Sequence, residues 1–541
     1  MKKEYFSIGW ASVDVTPNGP VNLPGQFHMR IAQGALDPIT ATALWMGDGK
    51  DAVCFVSIDL VTLRGGLQDL VQAEVKKRNA AIPVEKIVLN VTHTHTGPGF
   101  HKNSITAGDF RKDALVDDPD ADDMKDYDPE VKRLLSSDDR IPTTMEIMDG
   151  LEYRKKLVNH LADIVCEAFD KKANGAIAYG FGHAVVAHSR RCLYKDDTSK
   201  RPGAVQNSTH GVNGHAVMYG RTNDDKFTGY EGGADHFVNL LYTFDEKKKL
   251  TGVIVNVPCP SQNSEGIYFL SASFWHETRL EIRKKFGDIF ILPQAAAAGD
   301  LSPRQLHYNK AEYRRYLLKF GGEKENFAEE WRRKDIALRI AASVEEVYSW
   351  AKKDIITHAP IHHEVLDLSL SRRMISEYDF KLSCERLEEL NKQSFQPEKE
   401  GEDKQITLKN NCRLLSERLR CKGILRRWEE QKKTNKYPTQ THVLSIGDIA
   451  FATNQFELYL DFQHRIQARS PFTQTFIVQL AGVKGEQGGS YLATRRGYLN
   501  KGYSASRYCN QVSWKGGDEL VEKTLKSLKK LWSKDHKDEQ N

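Results

Sequence analysis

The chain lacks several of the features by which a sequence declares its class. No uninterrupted apolar run approaches the roughly 18 to 20 residues that span a bilayer, so no membrane-crossing helix is expected. The eight cysteines (Cys54, Cys166, Cys192, Cys259, Cys384, Cys412, Cys421, Cys509) form no CxxC pair, which argues against a zinc ribbon or a dense disulfide framework. Charge of one sign is scarce too: 78 Lys and Arg stand against 73 Asp and Glu, a formal +5. Nucleic-acid binding, which needs a concentrated basic stripe, is therefore not expected. The opening MKKEYFSIGWASVDVTP has neither the apolar core nor the small-residue cleavage site of a secretory leader. Reduced thiols and a cytoplasmic location are the expectation.

What is present reads as globular. The 541 residues are 40% apolar and 28% charged, enough to fill a core under a well-solvated surface. AVCFVSIDL (52–60) and KIVLNVTHTHTGPGF (86–100) flank a segment with Leu67, Leu70, Val71 and Val75 at helical spacing. Strand, helix, strand follows, and with it an α/β fold of mixed sheets layered with helices. FVNLLYTFD and LTGVIVNVPC read as further strands. Residues 109–140 are strongly acidic and lack the glycine and terminal glutamate of a calcium loop, so they read as a surface insertion. Residues 309–440 are rich in Glu, Lys, Arg and Leu and read as a mainly helical, charged insertion, broken near 397–409. The closing DELVEKTLKSLKKLWSK reads as a helix docked through Leu520, Leu525, Leu528 and Leu531.

Four segments can carry chemistry. In VLNVTHTHTGPG, His93 and His95 lie two apart at the end of a strand, where the period of two aims both imidazoles at one face. Such a pair can share a metal, or one can bind it while the other moves protons. In AAAAGDLSPR, Asp300 and Ser302 offer a carboxylate and a hydroxyl at a strand end, though taken alone they are better explained by a turn or helix cap. In GDIAFATNQFELYL, Glu457 sits within an apolar stretch, where a carboxylate needs a metal, a cation or the solvent. In GEQGGSYLATRRGYLNKGYSA, Tyr491, Tyr498 and Tyr503 stand in a glycine-rich loop, and their hydroxyls can ligate a metal or donate to an oxyanion.

In this order, and preceded by IGWASVDVTP and SIDL, these segments resemble the neutral, non-lysosomal ceramidases, zinc amidases that cleave the N-acyl bond of ceramide. The resemblance implies one ceramidase-like catalytic domain over 1–541, one Zn²⁺ per chain, and a metal-dependent hydrolase. It makes His93, Glu457 and Tyr491 zinc ligands, His95 a general acid or base, and Tyr503 an oxyanion donor. Arg190, in AHSRRCLY, would orient the substrate, and Ser302 matches a serine of that family's site. Asp300 joins the catalytic set.

Two departures qualify it. Where the family has a second zinc-binding histidine, this chain reads VNVPCPSQNSEG. Gln262 is the expected replacement, with Cys259, His276 or a direct role for His95 as alternatives. No immunoglobulin-like C-terminal domain follows the tyrosine segment, so the expected substrate is a soluble N-acyl compound or a ceramide-like lipid. Competing readings are a carbohydrate-active hydrolase, glycosidase or deacetylase, supported by the polar, aromatic loop from Gly485 to Tyr508 with Asp300 and Glu457 as paired carboxylates, and a non-catalytic ligand-binding protein.

Overall fold

Strands Ala52–Ile58 and Ile87–Val91 are buried at every position, which accounts for their unbroken apolar character. Between them lies the helix Leu67–Arg78, completing the expected strand–helix–strand unit; Leu67, Val71 and Val75 are buried, whereas Leu70 is 41% exposed. The computed structural model describes residues 5–101, 124–204, 212–321 and 328–536.

Eight strands form the main sheet, in the spatial order Phe290–Ala295, Leu250–Val257, Phe237–Asp245, Ala173–His183, Phe6–Asp14, Thr40–Gly47, Ala52–Ile58, Ile87–Val91. The two outermost pairs are parallel and all inner pairs antiparallel. The sheet curls until its ends meet. The Pro293 carbonyl on one edge accepts from Ser57 Oγ at 2.5 Å and from Asn90 Nδ2 at 3.1 Å near the other.

A second sheet, Ile361–Ser371, Lys436–Ile446, Ile449–Thr453 and Gln474–Val478, packs against the first. Val53, Phe55, Leu241 and Leu292 meet Leu444, Phe451, Phe476 and Val478 in one buried cluster, with the Phe55 and Phe451 rings 4.9 Å apart. Helices Gly150–Asp170 and Leu67–Arg78 cover part of the main sheet, and Phe274–Phe286 with Ala328–Ala351 cover another part. The helix Trp514–Asp535 lies on the second sheet and buries Leu520, Leu525, Leu528 and Leu531. No helix among the described residues is long and apolar enough to cross a membrane, and all eight cysteines are free.

The stretch 309–440 departs from the sequence reading. Besides the helices Asn309–Phe320, Ala328–Ala351, Glu377–Asn391 and Lys404–Lys433 it contains the strand Ile361–Ser371, which pairs along its whole length with Lys436–Ile446. Charged helices on either side mask the alternation in IHHEVLDLSLS. Of the acidic segment 109–140, residues 109–123 lie outside the described residues. Beyond them Pro129–Leu135 is a helix that buries Val131, Leu134 and Leu135 against Leu387 and Leu425 of the helical pair, so this part is packed structure.

Candidate active site

Parallel strands aim their carboxyl ends the same way, and the loops leaving such ends are where α/β folds gather functional groups. In this fold the loops after Ile87–Val91, Leu250–Val257 and Ile449–Thr453 converge on a cavity of about 190 Å³. His93, His95, Arg190, Gln262, Glu457, Tyr491 and Tyr503 all line it. All seven were singled out in the sequence, and they stand together.

The two histidines reach the cavity by a different route from the one expected. The strand ends at Val91, and His93 adopts the left-handed region at φ 62°, so no strand periodicity orients the pair. Histidine tolerates that region better than most residues, and strained backbone of this kind gathers at functional sites. The imidazoles meet edge to face, 5.0 Å between centroids. His93 Nδ1 lies 2.6 Å from the Val61 carbonyl, to which it donates. Its Nε2 lone pair is thereby turned inward, buried and without a hydrogen-bond partner, 3.4 Å from Glu457 Oε2. Gly25 permits the close approach to His95: a Cβ there would stand 2.6 Å from the ring, at a φ of +107°.

Glu457 and Tyr491 are register partners in a two-residue parallel bridge, Glu457–Leu458 with Tyr491–Leu492, which sets the carboxylate beside the phenol. Gly299 lies so close behind that a Cβ would fall 2.3 Å from the Glu457 carbonyl oxygen. This is the close backbone approach that the small residues before Asp300 foreshadow. Burial raises the Glu457 carboxyl, but His93, Arg190 and the Tyr491 hydroxyl together hold it below the usual carboxylate range. Burial pushes the Tyr491 phenol well up, against the opposing pull of Arg190.

Arg190 is 1% exposed and its donors can be counted. Nη1 donates to Gln262 Oε1 at 3.1 Å and to the Tyr219 hydroxyl at 3.3 Å; Nη2 donates to the Gly299 carbonyl at 2.8 Å and to Tyr491 at 3.1 Å. Four of the five N–H groups are committed to the protein, and the fifth, Nε, is buried. Arg190 is thus a positioning residue that ties Gln262, Tyr219 and Tyr491 together and lies 3.6 Å from Glu457. Any part it plays in orienting the substrate would run through these neighbours.

Gln262 is likewise not placed as a metal ligand. Its Oε1 accepts from Arg190 and from Tyr219 at 3.2 Å, which turns its amide nitrogen toward His95 Nε2 at 2.9 Å. His95 then keeps its proton on Nδ1, 3.2 Å from Glu265 Oε2. Burial, with the nearby His93 and Arg30, lowers the His95 pKa although Glu265 works against it. With Gln262 at its Nε2, His95 can take a proton there only when Gln262 turns aside.

Asp300 and Ser302 do not line the cavity. Asp300 Oδ1 accepts from the Leu460 amide at 2.9 Å, and its backbone carbonyl accepts from the Arg190 amide. Burial pushes its carboxyl up to about 6. Ser302 Oγ accepts from the Arg304 amide at 3.1 Å, and Arg304 Nη1 pairs with Glu265 at 2.8 Å. Both residues brace the site from behind. Cys259, buried beside the Val186 carbonyl, and His276, on the helix Phe274–Phe286, also lie outside the cavity lining, as does Tyr498, stacked under Arg373.

Residues not singled out in the sequence also line the wall, among them Phe27, Arg64, Tyr219 and Glu265. Glu265 is held down at about 2: burial raises it, but His95, Arg304 and Arg190 more than offset this. Its signal was faint, a carboxylate three residues after Gln262 in the same irregular segment. Phe27 and Tyr503 meet edge to face at 5.0 Å, with the Arg420 guanidinium within 5.8 Å of both rings.

The donor set bears on zinc directly. Two ligands at about 2.0–2.2 Å from a tetrahedral zinc lie roughly 3.3–3.6 Å apart. The 3.4 Å between His93 Nε2 and Glu457 Oε2 matches that spacing, and Tyr491 offers a third oxygen beside them. Among the described residues no three of His, Cys, Asp and Glu converge, so the set is one imidazole, one carboxylate and one phenol.

Two solved structures carry the same architecture. A neutral ceramidase from Pseudomonas aeruginosa superimposes with a TM-score of 0.61 at 14% identity, over 98% of this chain and 75% of that one. A ceramidase complexed with C2 gives a TM-score of 0.60 at 13% identity, over 98% and 76%. The chain therefore has a neutral ceramidase-like fold. No protein-family model matches it, and no curated protein does.

Proposed function

We propose that this protein is a zinc-dependent hydrolase that cleaves an amide, an N-acyl bond, with water as nucleophile. The observation that carries the reading is the buried, unpartnered Nε2 of His93 at zinc-ligand spacing from Glu457, with Tyr491 alongside. His93, Glu457 and Tyr491 would hold the metal, a set of three protein donors as in catalytic rather than structural zinc sites. Zinc, when bound, supplies a water acidic enough to ionise near neutral pH and a Lewis acid for the amide carbonyl.

This chain's own groups do the rest. Burial keeps the Tyr503 phenol protonated through the neutral range, so it donates to the oxyanion that develops on the carbonyl. Arg190 fixes Tyr491, and His95 receives or returns a proton once Gln262 moves from Nε2. Asp300 is not among the residues lining the cavity with Glu457, which speaks against the two acting as a carboxylate pair.

The test is release of free amine from a panel of small N-acyl compounds by the zinc-supplied enzyme. Turnover that disappears on chelation, returns with zinc and falls at least 100-fold in Tyr503→Phe, a loss on the scale of an oxyanion donor, supports the reading. Absence of amine release from every compound, with metal bound, would overturn it.

A further inference from the structure

We infer that the substrate carries an oxyanion, a carboxylate or a phosphate, which Arg64 receives; the inference rests on the amide-hydrolase reading. Arg64 follows the strand Ala52–Ile58 and stands in the wall shared by the catalytic cavity and a second cavity of about 140 Å³ beyond Tyr491. Its Nη2 donates to the Gly489 carbonyl at 3.1 Å, and its Nε is buried with no hydrogen-bond partner. Among the described residues no carboxylate lies within ion-pair distance of it. A half-buried guanidinium whose one partner is a neutral carbonyl has neither its charge nor its fork of donors satisfied, and a carboxylate or phosphate satisfies both at once.

In the second cavity Glu430 is already paired with Arg372 at 2.8 Å, and Arg427 donates to the Arg373, Arg507 and Asn510 carbonyls. Gly489 fixes Arg64 in place. Its φ is +65°, and a Cβ there would lie 2.1 Å from Thr62 Oγ1 and 3.0 Å from Arg64 Nη2. The reaction is balanced by water alone: hydroxide adds to the carbonyl carbon, the C–N bond breaks, the amine leaves with a proton, and an acid and an amine result.

The experiment compares three acetamides with the zinc-supplied protein: N-acetylglycine, N-acetylethanolamine phosphate and neutral N-acetylethanolamine. Turnover and calorimetric binding are measured for wild type, Arg64→Gln and Arg64→Lys, with circular dichroism to establish folding. An anionic compound should exceed the neutral one by about tenfold or more in kcat/KM, the scale of one charge-assisted contact. Arg64→Gln should erase the preference through KM, and Arg64→Lys should restore part of it. Which anion wins distinguishes carboxylate from phosphate. Equal rates, or a preference that survives in Arg64→Gln, would overturn the inference. If none of the three is hydrolysed, the amidase reading fails separately and binding decides: tighter anion binding that is lost in Arg64→Gln supports the role of Arg64, and equal binding refutes it.

Discussion

At the scale of single residues the site is a set of commitments, and each commitment predicts what a substitution does. Gly25→Ala forces a Cβ into the His95 ring on a backbone that favours glycine, so kcat/KM should fall by about 100-fold while circular dichroism stays native. Asp300 behaves oppositely to a catalytic acid. Its carboxyl, raised to about 6 by burial, binds its proton more tightly folded than unfolded, so stability is fully present below pH 4 and declines as pH rises toward 6. Asp300→Asn keeps the acceptor for Leu460 and removes the charge. It should abolish roughly 3 kcal/mol of that pH-dependent loss, at about 1.4 kcal/mol per unit, and retain turnover within a few-fold. Thermal denaturation between pH 4 and 8, with kinetics alongside, checks both; a 100-fold loss of kcat would return Asp300 to the chemistry.

At the scale of elements, the bridge Glu457–Leu458 with Tyr491–Leu492 and the loop after Val91 assemble the donors. The strand–helix–strand unit at 52–91 was legible in the sequence because buried parallel strands are apolar at every position and the helix shows its spacing. His93, Glu457 and Tyr491 were legible as polar groups in apolar or glycine-rich surroundings. The geometry joining them was not: His93 points inward through a left-handed backbone and a bond to Val61, which no periodicity encodes. Arg64, Glu265 and Tyr219 reach the cavity only through tertiary packing. The strand Ile361–Ser371 was hidden among helices, yet it carries His363, whose Nδ1 donates to Ala52 of the main sheet at 3.0 Å and whose Nε2 meets His442 Nδ1 at 2.9 Å. Burial first, with Lys86 adding to it, lowers His363 to about 3, below its unfolded value. The contribution is complete above pH 6.5 and is lost as pH falls toward 3, a change on the order of 5 kcal/mol. In His363→Gln the stability curve over that window should be flatter, one proton fewer being taken up on unfolding; an unchanged slope would contradict the assignment.

At the scale of the whole molecule, a sheet curled until its edges meet and a second sheet laid on its face bring the loops that form the site to one end. That fold is shared with neutral ceramidases, whereas a glutamine held by Arg190 stands where the resemblance places their second histidine. The central claim is that three remaining donors still hold zinc, and elemental mass spectrometry of the purified, zinc-supplied protein tests it most directly. The account predicts about one zinc per chain, lost in both His93→Ala and Glu457→Ala, because removing either donor from a three-ligand site leaves too few. Metal-free wild type, or zinc retained in both variants, would contradict it.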